Sequence, residues 1–246
     1  TAGELRDRAP YISKTMIGGA LCAIEGKANS LIAAPSFAAA ARDLGATLLK
    51  GQRVIGIQRN RAGFQIQTDD LSLEATHIVN TAGLEAGVIA AMLGYKIDVQ
   101  SFPIQLSVTE PVAPLFRHLV YSGSEMLTLK QTGKGTILIG GGWPSALDSQ
   151  RQPQVTSASL YGNLRVALQT VPDIASARIV RTWAAQVNGN ESWLPLIGEM
   201  PGADGFFINY VPWMGFSGAP AAGRIVASLV QGREPPVDFD VSPFKP

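Results

Sequence analysis

The chain has one cysteine, Cys22, and two histidines, His77 and His118, in 246 residues. A single cysteine excludes an intrachain disulfide and points to a reducing, cytoplasmic setting. Cys22 itself reads as a small buried apolar residue. Without a cluster of Cys and His there is no metal site to build, and both histidines read as structural or solvated. An excess of charge of one sign is missing too: 20 Lys and Arg against 19 Asp and Glu leave a net charge of +1. That balance excludes the basic stripe of nucleic-acid and membrane-surface proteins. No apolar run reaches the roughly 18 residues of a spanning helix, so no membrane span is expected. The opening Thr1-Ala2-Gly3-Glu4-Leu5-Arg6 is no signal peptide and carries no initiator Met, from which processing or truncation is expected. Internal repeats and low-complexity stretches are absent.

Apolar residues are plentiful at 46%, ample for a core in one large domain or two interleaved ones. Residues 1–27 include the run Met16 to Ile24, which reads as one or two strands. From 28 to 100 the pattern is an α/β layer. Asn29-Ser30 caps a helix over Leu31 to Leu44, ended by Gly45. Strands follow at Thr47–Leu49 and Arg53–Ile57. Phe64 to Thr68 alternates and turns at Asp69-Asp70 into Leu71–Ala75, a hairpin. His77 to Asn80 is a buried strand that ends in Thr81-Ala82-Gly83, and a helix runs from Glu85 to Leu93. From 101 to 187 the character is antiparallel: Ile104–Glu110, Met126–Lys130, Thr136–Gly140 and Val180–Val187 are strands, with a helix over Ser157–Leu168. Residues 188–246 return to the α/β layer. The fold class is therefore α/β (α+β), an α/β layer interleaved with an antiparallel-sheet domain.

The most telling segment is the last forty residues. The apolar strand Phe206 to Val211 enters the turn Gly215-Phe216-Ser217-Gly218, then a helix with Ile225, Val226, Leu229 and Val230 at helical spacing. Pro220 sits where a first-turn proline is tolerated, and Gly232 where a helix would end. A glycine-rich turn into a helix offers free N–H groups and the positive end of a dipole, so it suits an electron-rich ligand. Gly-Phe-Ser-Gly is one residue short of the Gly-x-Ser-x-Gly nucleophile elbow, which argues against a hydrolase.

Four blocks in register resemble the flavoprotein oxidoreductases of the D-amino-acid oxidase/glycine oxidase superfamily. They are Pro35 through Val54; Ile78-Val79-Asn80-Thr81-Ala82-Gly83, similar to the family's V-V-N-A-A-G; Val108-Thr109-Glu110-Pro111 with Lys130-Gln131-Thr132 and Ile137 to Gly142; and Arg181 to Gly198 with the terminal turn and helix. The resemblance implies an FAD-binding α/β layer in part, at 28–100 and 188–246, and a substrate domain at 1–27 and 101–187. It implies FAD contacts at Val54 (adenine), at Thr81, Ala82 and Gly83 (diphosphate and ribose), and at Gly215, Phe216, Ser217 and Gly218 (flavin ring). The implied reaction is oxidation of the C–N bond of an amine or amino acid to an imine by hydride transfer to flavin, in an oxidase or a dehydrogenase.

Two departures from the family stand out. Its opening strand and Gly-x-Gly-x-x-Gly pyrophosphate grip have no counterpart; Gly140-Gly141-Gly142 runs into Trp143-Pro144 rather than a helix. The chain is thus expected to be the C-terminal part of a longer enzyme, weak in FAD binding and inactive by itself. The substrate-carboxylate arginines are also missing, since Val187 and Trp213 stand in their places. Lys130, Gln131, Gln186 and Trp213 are the candidate substrate contacts, with Arg181 a further carboxylate candidate and Trp143 a second pocket-lining aromatic. The expected partners are a small-molecule amine or amino acid and either a missing N-terminal segment or a partner subunit. Exposed apolar surface where that segment docks is expected to favour oligomers. Alternatives are a cofactor-free subunit or scaffold and, more weakly, an FAD-linked hydroxy-acid or polyol oxidoreductase.

Overall fold

The computed structural model describes all residues, Thr1–Pro246. In chain order the helices are α1 (Ala2–Arg8), α2 (Ser30–Asp43), α3 (Ala86–Ala91), α4 (Ser157–Thr170) and α5 (Gly215–Val230). The first strands are β1 (Val54–Asn60), β2 (Gly63–Thr68), β3 (Ser72–Ala75), β4 (Ile78–Asn80) and β5 (Gln100–Pro111). Then come β6 (Val120–Tyr121), β7 (Thr128–Gln131), β8 (Thr136–Gly140), β9 (Ala146–Leu147) and β10 (Pro153–Gln154). The last are β11 (Ile179–Gly189), β12 (Leu196–Glu199) and β13 (Phe206–Tyr210). Two compact units arise from interleaved segments. One holds Thr1–Asn29 and Phe102–Gln186, the other Ser30–Ser101 and Val187–Pro246.

The first unit is a five-stranded sheet in the order β11-β5-β8-β7-β6, with β5–β8, β8–β7 and β7–β6 antiparallel. Alternation decides its faces. Leu129, Ile137 and Ile139 point inward and pack with Val166 and Ala167 of α4. Glu110 and Arg178 hold β11 to β5 through a two-pronged ion pair, Nε to Oε1 at 3.0 Å and Nη2 to Oε2 at 2.7 Å. The run Met16–Ile24 forms no strand. It finds no pairing partner, Ile17 and Ile24 are almost fully exposed, and Cys22 is exposed rather than buried. Strand propensity without a neighbouring strand leaves backbone groups to water, so the segment stays irregular. Ahead of it, α1 is closed by a Thr1–Glu4 capping box, an element the strand reading of 1–27 overlooks.

The second unit contains the antiparallel sheet β1-β2-β3 and a mixed sheet, β12-β13-β4. In the latter β4 runs parallel to β13, with Ile208 opposite Asn80. Ile57, Phe64, Ala86, Ala90, Phe206, Ile208 and Tyr210 form one core between these elements. A second core joins α5 to the mixed sheet through Ile197, Phe207, Ala222, Ile225 and Val226. Helix α2 forms as its cap and Gly45 (φ 96°) predict, but buries none of its residues, although Leu31, Ile32 and Phe37 are apolar. The expected strand at Thr47–Leu49 is irregular chain. Helix α5 starts at Gly215, so Pro220 lies inside it rather than in its first turn. Packing of Ala222, Ile225 and Val226 compensates for the one backbone bond that proline removes. No helix is long and apolar enough to cross a membrane.

Candidate functional site

The parallel pairing of β4 and β13 puts the ends of both strands at one edge of their sheet. Ligands of open α/β sheets bind outside the C-terminal ends of such strands. Here β4 releases Thr81-Ala82-Gly83 and β13 releases the turn that opens α5, so the two segments singled out from sequence emerge side by side. Asn80 shapes the first. It is buried, its Oδ1 accepts from the Ala82 N–H at 3.1 Å, and its Nδ2 donates to the Ala86 carbonyl at 2.9 Å. Gly83 then takes φ 58°, a conformation glycine adopts without strain, and the chain turns into α3. Thr81 and Ala82 are left exposed. Asn80 is absent from the sequence-based candidates; an Asn just before a small-residue turn is the signal that marks it.

The second segment is the first turn of α5 itself. No side chain caps it, and the first regular bond runs from the Gly218 N–H to the Met214 carbonyl at 2.8 Å. The N–H groups of Gly215, Phe216 and Ser217 therefore precede the ladder, at the positive end of a sixteen-residue helix. A side-chain carbon on Gly218 would sit 3.3 Å from Val211 Cγ1, whereas one on Gly215 would meet nothing within 4 Å. Gly218 thus lets the helix approach the end of β13, and Gly215 keeps the mouth of the turn open. Phe216 and Ser217 are exposed. Val54 is half-buried against the core that holds Phe206 and Ile208. This donor set, with bare N–H groups, small residues and room above them, fits the carbonyl- and nitrogen-rich edge of a flavin.

The substrate candidates fall differently. Trp213, in the second unit, is exposed immediately before the α5 turn. Lys130 and Gln131 are neighbours on β7 in the first unit but face opposite ways. Gln131 is buried, and its amide is consumed by the Leu115 N–H at 2.8 Å and the Ala113 and Gly135 carbonyls at 3.0 and 3.1 Å. It clamps the 113–116 loop, so the expectation that it touches substrate is corrected. Lys130 is half-buried, with Nζ 3.5 Å from the Ala28 carbonyl. Next to it Lys27 donates to the Gln131 carbonyl at 2.6 Å. Burial, with Lys130 as second cause, holds the Lys27 ammonium below its usual pKa. Gln186 is half-buried and donates to the Arg151 carbonyl at 2.9 Å. Arg181 is exposed. Trp143 donates to the Met126 carbonyl at 2.6 Å. An open cavity of about 920 Å³ in the first unit lies among Tyr11, Cys22, Lys27, His118 and Tyr121. None of the sequence-based candidates lines it.

The profile of the FAD dependent oxidoreductases matches residues 1–229, nearly the whole chain. The chain belongs to this family. Sarcosine oxidase subunit beta of Rhodobacter capsulatus is 27% identical over 237 residues, covering 94% of this chain and 56% of that protein. Glycine oxidase of Pseudomonas aeruginosa is 28% identical, covering 81% of this chain and 50% of its own length. Among solved structures, glycine oxidase from Geobacillus kaustophilus superposes with a TM-score of 0.89 at 25% identity, over 100% of this chain and 65% of that one. L-proline dehydrogenase from P. horikoshii, with a TM-score of 0.90 at 24% identity, shares the fold. The chain thus spans about half the length of the curated relatives it matches. The family and the α/β-plus-antiparallel architecture read from sequence are both borne out, and FAD is the family's cofactor.

Proposed function

We propose that residues 1–246 are the C-terminal part of an FAD-dependent amine or amino-acid oxidoreductase. The observation that carries this is the pairing of the Thr81–Gly83 turn with the uncapped α5 turn at one sheet edge. Thr81, Ala82 and Gly83 would lie along the cofactor's diphosphate and ribose, and Val54 beside its adenine. The Gly215, Phe216 and Ser217 N–H groups would face the flavin, where the helix dipole favours negative charge on the ring. When bound, FAD supplies acceptance of a hydride from the carbon next to the substrate nitrogen, which leaves an imine. The chain's own part is positioning and exclusion of water. In the first unit Lys130, with Lys27 beside it, offers positive charge for a substrate carboxylate, and Gln186 and Arg181 are further candidates. The pyrophosphate grip is assigned to polypeptide outside these residues. The bare apolar surface of α2 supports this, because a helix that is apolar on every side needs cover. The single exposed Cys22 fits a cytoplasmic setting.

The test is anaerobic mixing of the full-length, FAD-loaded protein with a panel of primary and secondary amines and amino acids. Bleaching of the flavin absorbance by at least one is expected; no bleaching across the panel would overturn the reading. A second reading is a subunit whose partner chain supplies the missing layer. It is favoured by relatives named as subunits, sarcosine oxidase subunit beta and hydrogen cyanide synthase subunit HcnC. A separately encoded chain that co-purifies with it and restores flavin binding is the expected result in that case.

A further inference from the structure

Two tryptophans in the second unit occupy backbone conformations that tryptophan ordinarily avoids. Trp193 has φ 57° and Trp213 has φ 54°, both in the left-handed region. For a bulky residue that is an outlier, and such strain gathers at ligand clamps and active sites. Burial does not account for it, since the two are 49% and 41% exposed. The two rings meet instead, with centroids 6.0 Å apart and planes at 73°, an edge-to-face pair.

The backbone under each ring is pinned. The Trp213 N–H donates to the Asn188 carbonyl at 2.8 Å. Around Trp193, Asn190 Nδ2 donates to the Leu194 carbonyl at 2.9 Å, and the Glu191 N–H donates to Asp98 Oδ2 at 2.6 Å. The platform is therefore preorganised rather than a loose patch. Its position is set by sequence: Trp213 stands two residues before the first turn of α5, and the exposed Met214 and Phe216 extend the apolar surface along that turn. The one charged residue between Asn190 and Pro195 is Glu191. An acidic neighbour disfavours a second carboxylate and favours an ammonium, and indole faces bind both rings and cations.

We infer that Trp193 and Trp213 form a substrate-binding platform, and that the substrate is an amine carrying an aromatic ring rather than a small amino acid such as glycine. The inference deepens the oxidoreductase proposal and rests on the α5 turn facing flavin.

The experiment uses the full-length, FAD-loaded protein and its Trp193→Gly, Trp213→Gly and Trp213→Tyr variants. Glycine suits a positive φ, so the glycine variants remove a ring without straining the backbone. Two readouts are taken. One is the ratio of kcat/KM for 2-phenylethylamine to that for glycine. The other is saturable quenching of tryptophan emission by benzyltrimethylammonium, whose quaternary nitrogen cannot become an imine. The ratio is expected to fall about tenfold in either glycine variant, and Trp213→Tyr to recover most of it. Quenching is expected to saturate in the wild type and to vanish in both glycine variants. If the flavin bleaches but the ratio is the same in wild type and variants, the platform is overturned while the oxidoreductase reading stands. If no amine bleaches the flavin, the oxidoreductase reading falls and quenching alone decides. Saturable quenching lost in the variants then keeps the platform, and its absence in the wild type overturns it.

Discussion

Asn80 shows how one side chain sets the Thr81–Gly83 turn. Its two amide atoms are both used, one on each side of the bend, and the residue is buried. Replacing it by Leu keeps the branched shape, with methyl groups bulkier than the amide atoms, and leaves the buried Ala86 carbonyl without the Asn80 donor. Asn80→Leu is expected to cost about 1–3 kcal/mol, read as a lower urea midpoint with an unchanged slope. An unchanged midpoint would mean that the turn is held by the glycine alone. Gln131 teaches the complementary lesson. A polar residue on a strand reads as a site candidate when only its type and neighbours are known. The burial alternation of β7 puts Lys130 on one face and Gln131 on the core face, where its amide satisfies a loop.

At the scale of elements, α2 and α5 contrast. Helix α5 has a well-formed apolar side and a partner for it in Ile197 and Phe207. Helix α2 has equal helical credentials and buries nothing, with Leu31 84% and Phe37 65% exposed. Surface of that kind favours association of the 246-residue chain. The double variant Leu31→Gln, Phe37→Gln should lower its apparent mass in light scattering toward the 26.0 kDa of one chain. Because neither side chain is buried, stability should change by no more than about 0.5 kcal/mol per site. A loss of several kcal/mol would show that α2 packs within the chain.

For the whole molecule, each unit is closed by contacts between segments far apart in sequence, and the Glu110–Arg178 pair is one such closure in the first unit. Hydrogen bonds from the Arg178 side chain, then its backbone N–H, hold the Glu110 carboxyl below its usual value of 4.5. A carboxyl depressed on folding lends stability that is complete above its unfolded value and lost as pH falls through the folded one. Denaturation midpoints should therefore drop more steeply below pH 4.5 in the wild type than in Glu110→Gln. Parallel curves would show that the pair contributes nothing, as exposed ion pairs often do.

Much of this was legible in the chain itself. The alternation of Phe64 to Thr68 and Thr136 to Gly140, the cap before α2 and the spacing of Ile225, Val226 and Leu229 are local signals, and the elements follow them. So did the family, because its blocks are runs of small and apolar residues whose order survives in sequence. What sequence could not decide were matters of long-range contact. Whether Met16–Ile24 pairs, whether Cys22 is covered, and which way Gln131 points depend on neighbours up to a hundred residues away. Helix α5 starts at Gly215, with Gly218 close to Val211 just after β13, and so holds Pro220 inside it rather than in a first turn. Trp193 and Trp213 carry no motif that pairs them; two strained turns, one pinned by the Asn188 carbonyl and the other by the Asp98 carboxylate, bring their rings together. Local propensity and pattern determine which segments become helices and strands. Only the tertiary packing settles which surfaces are buried, because burial is a property of pairs of segments and not of either one.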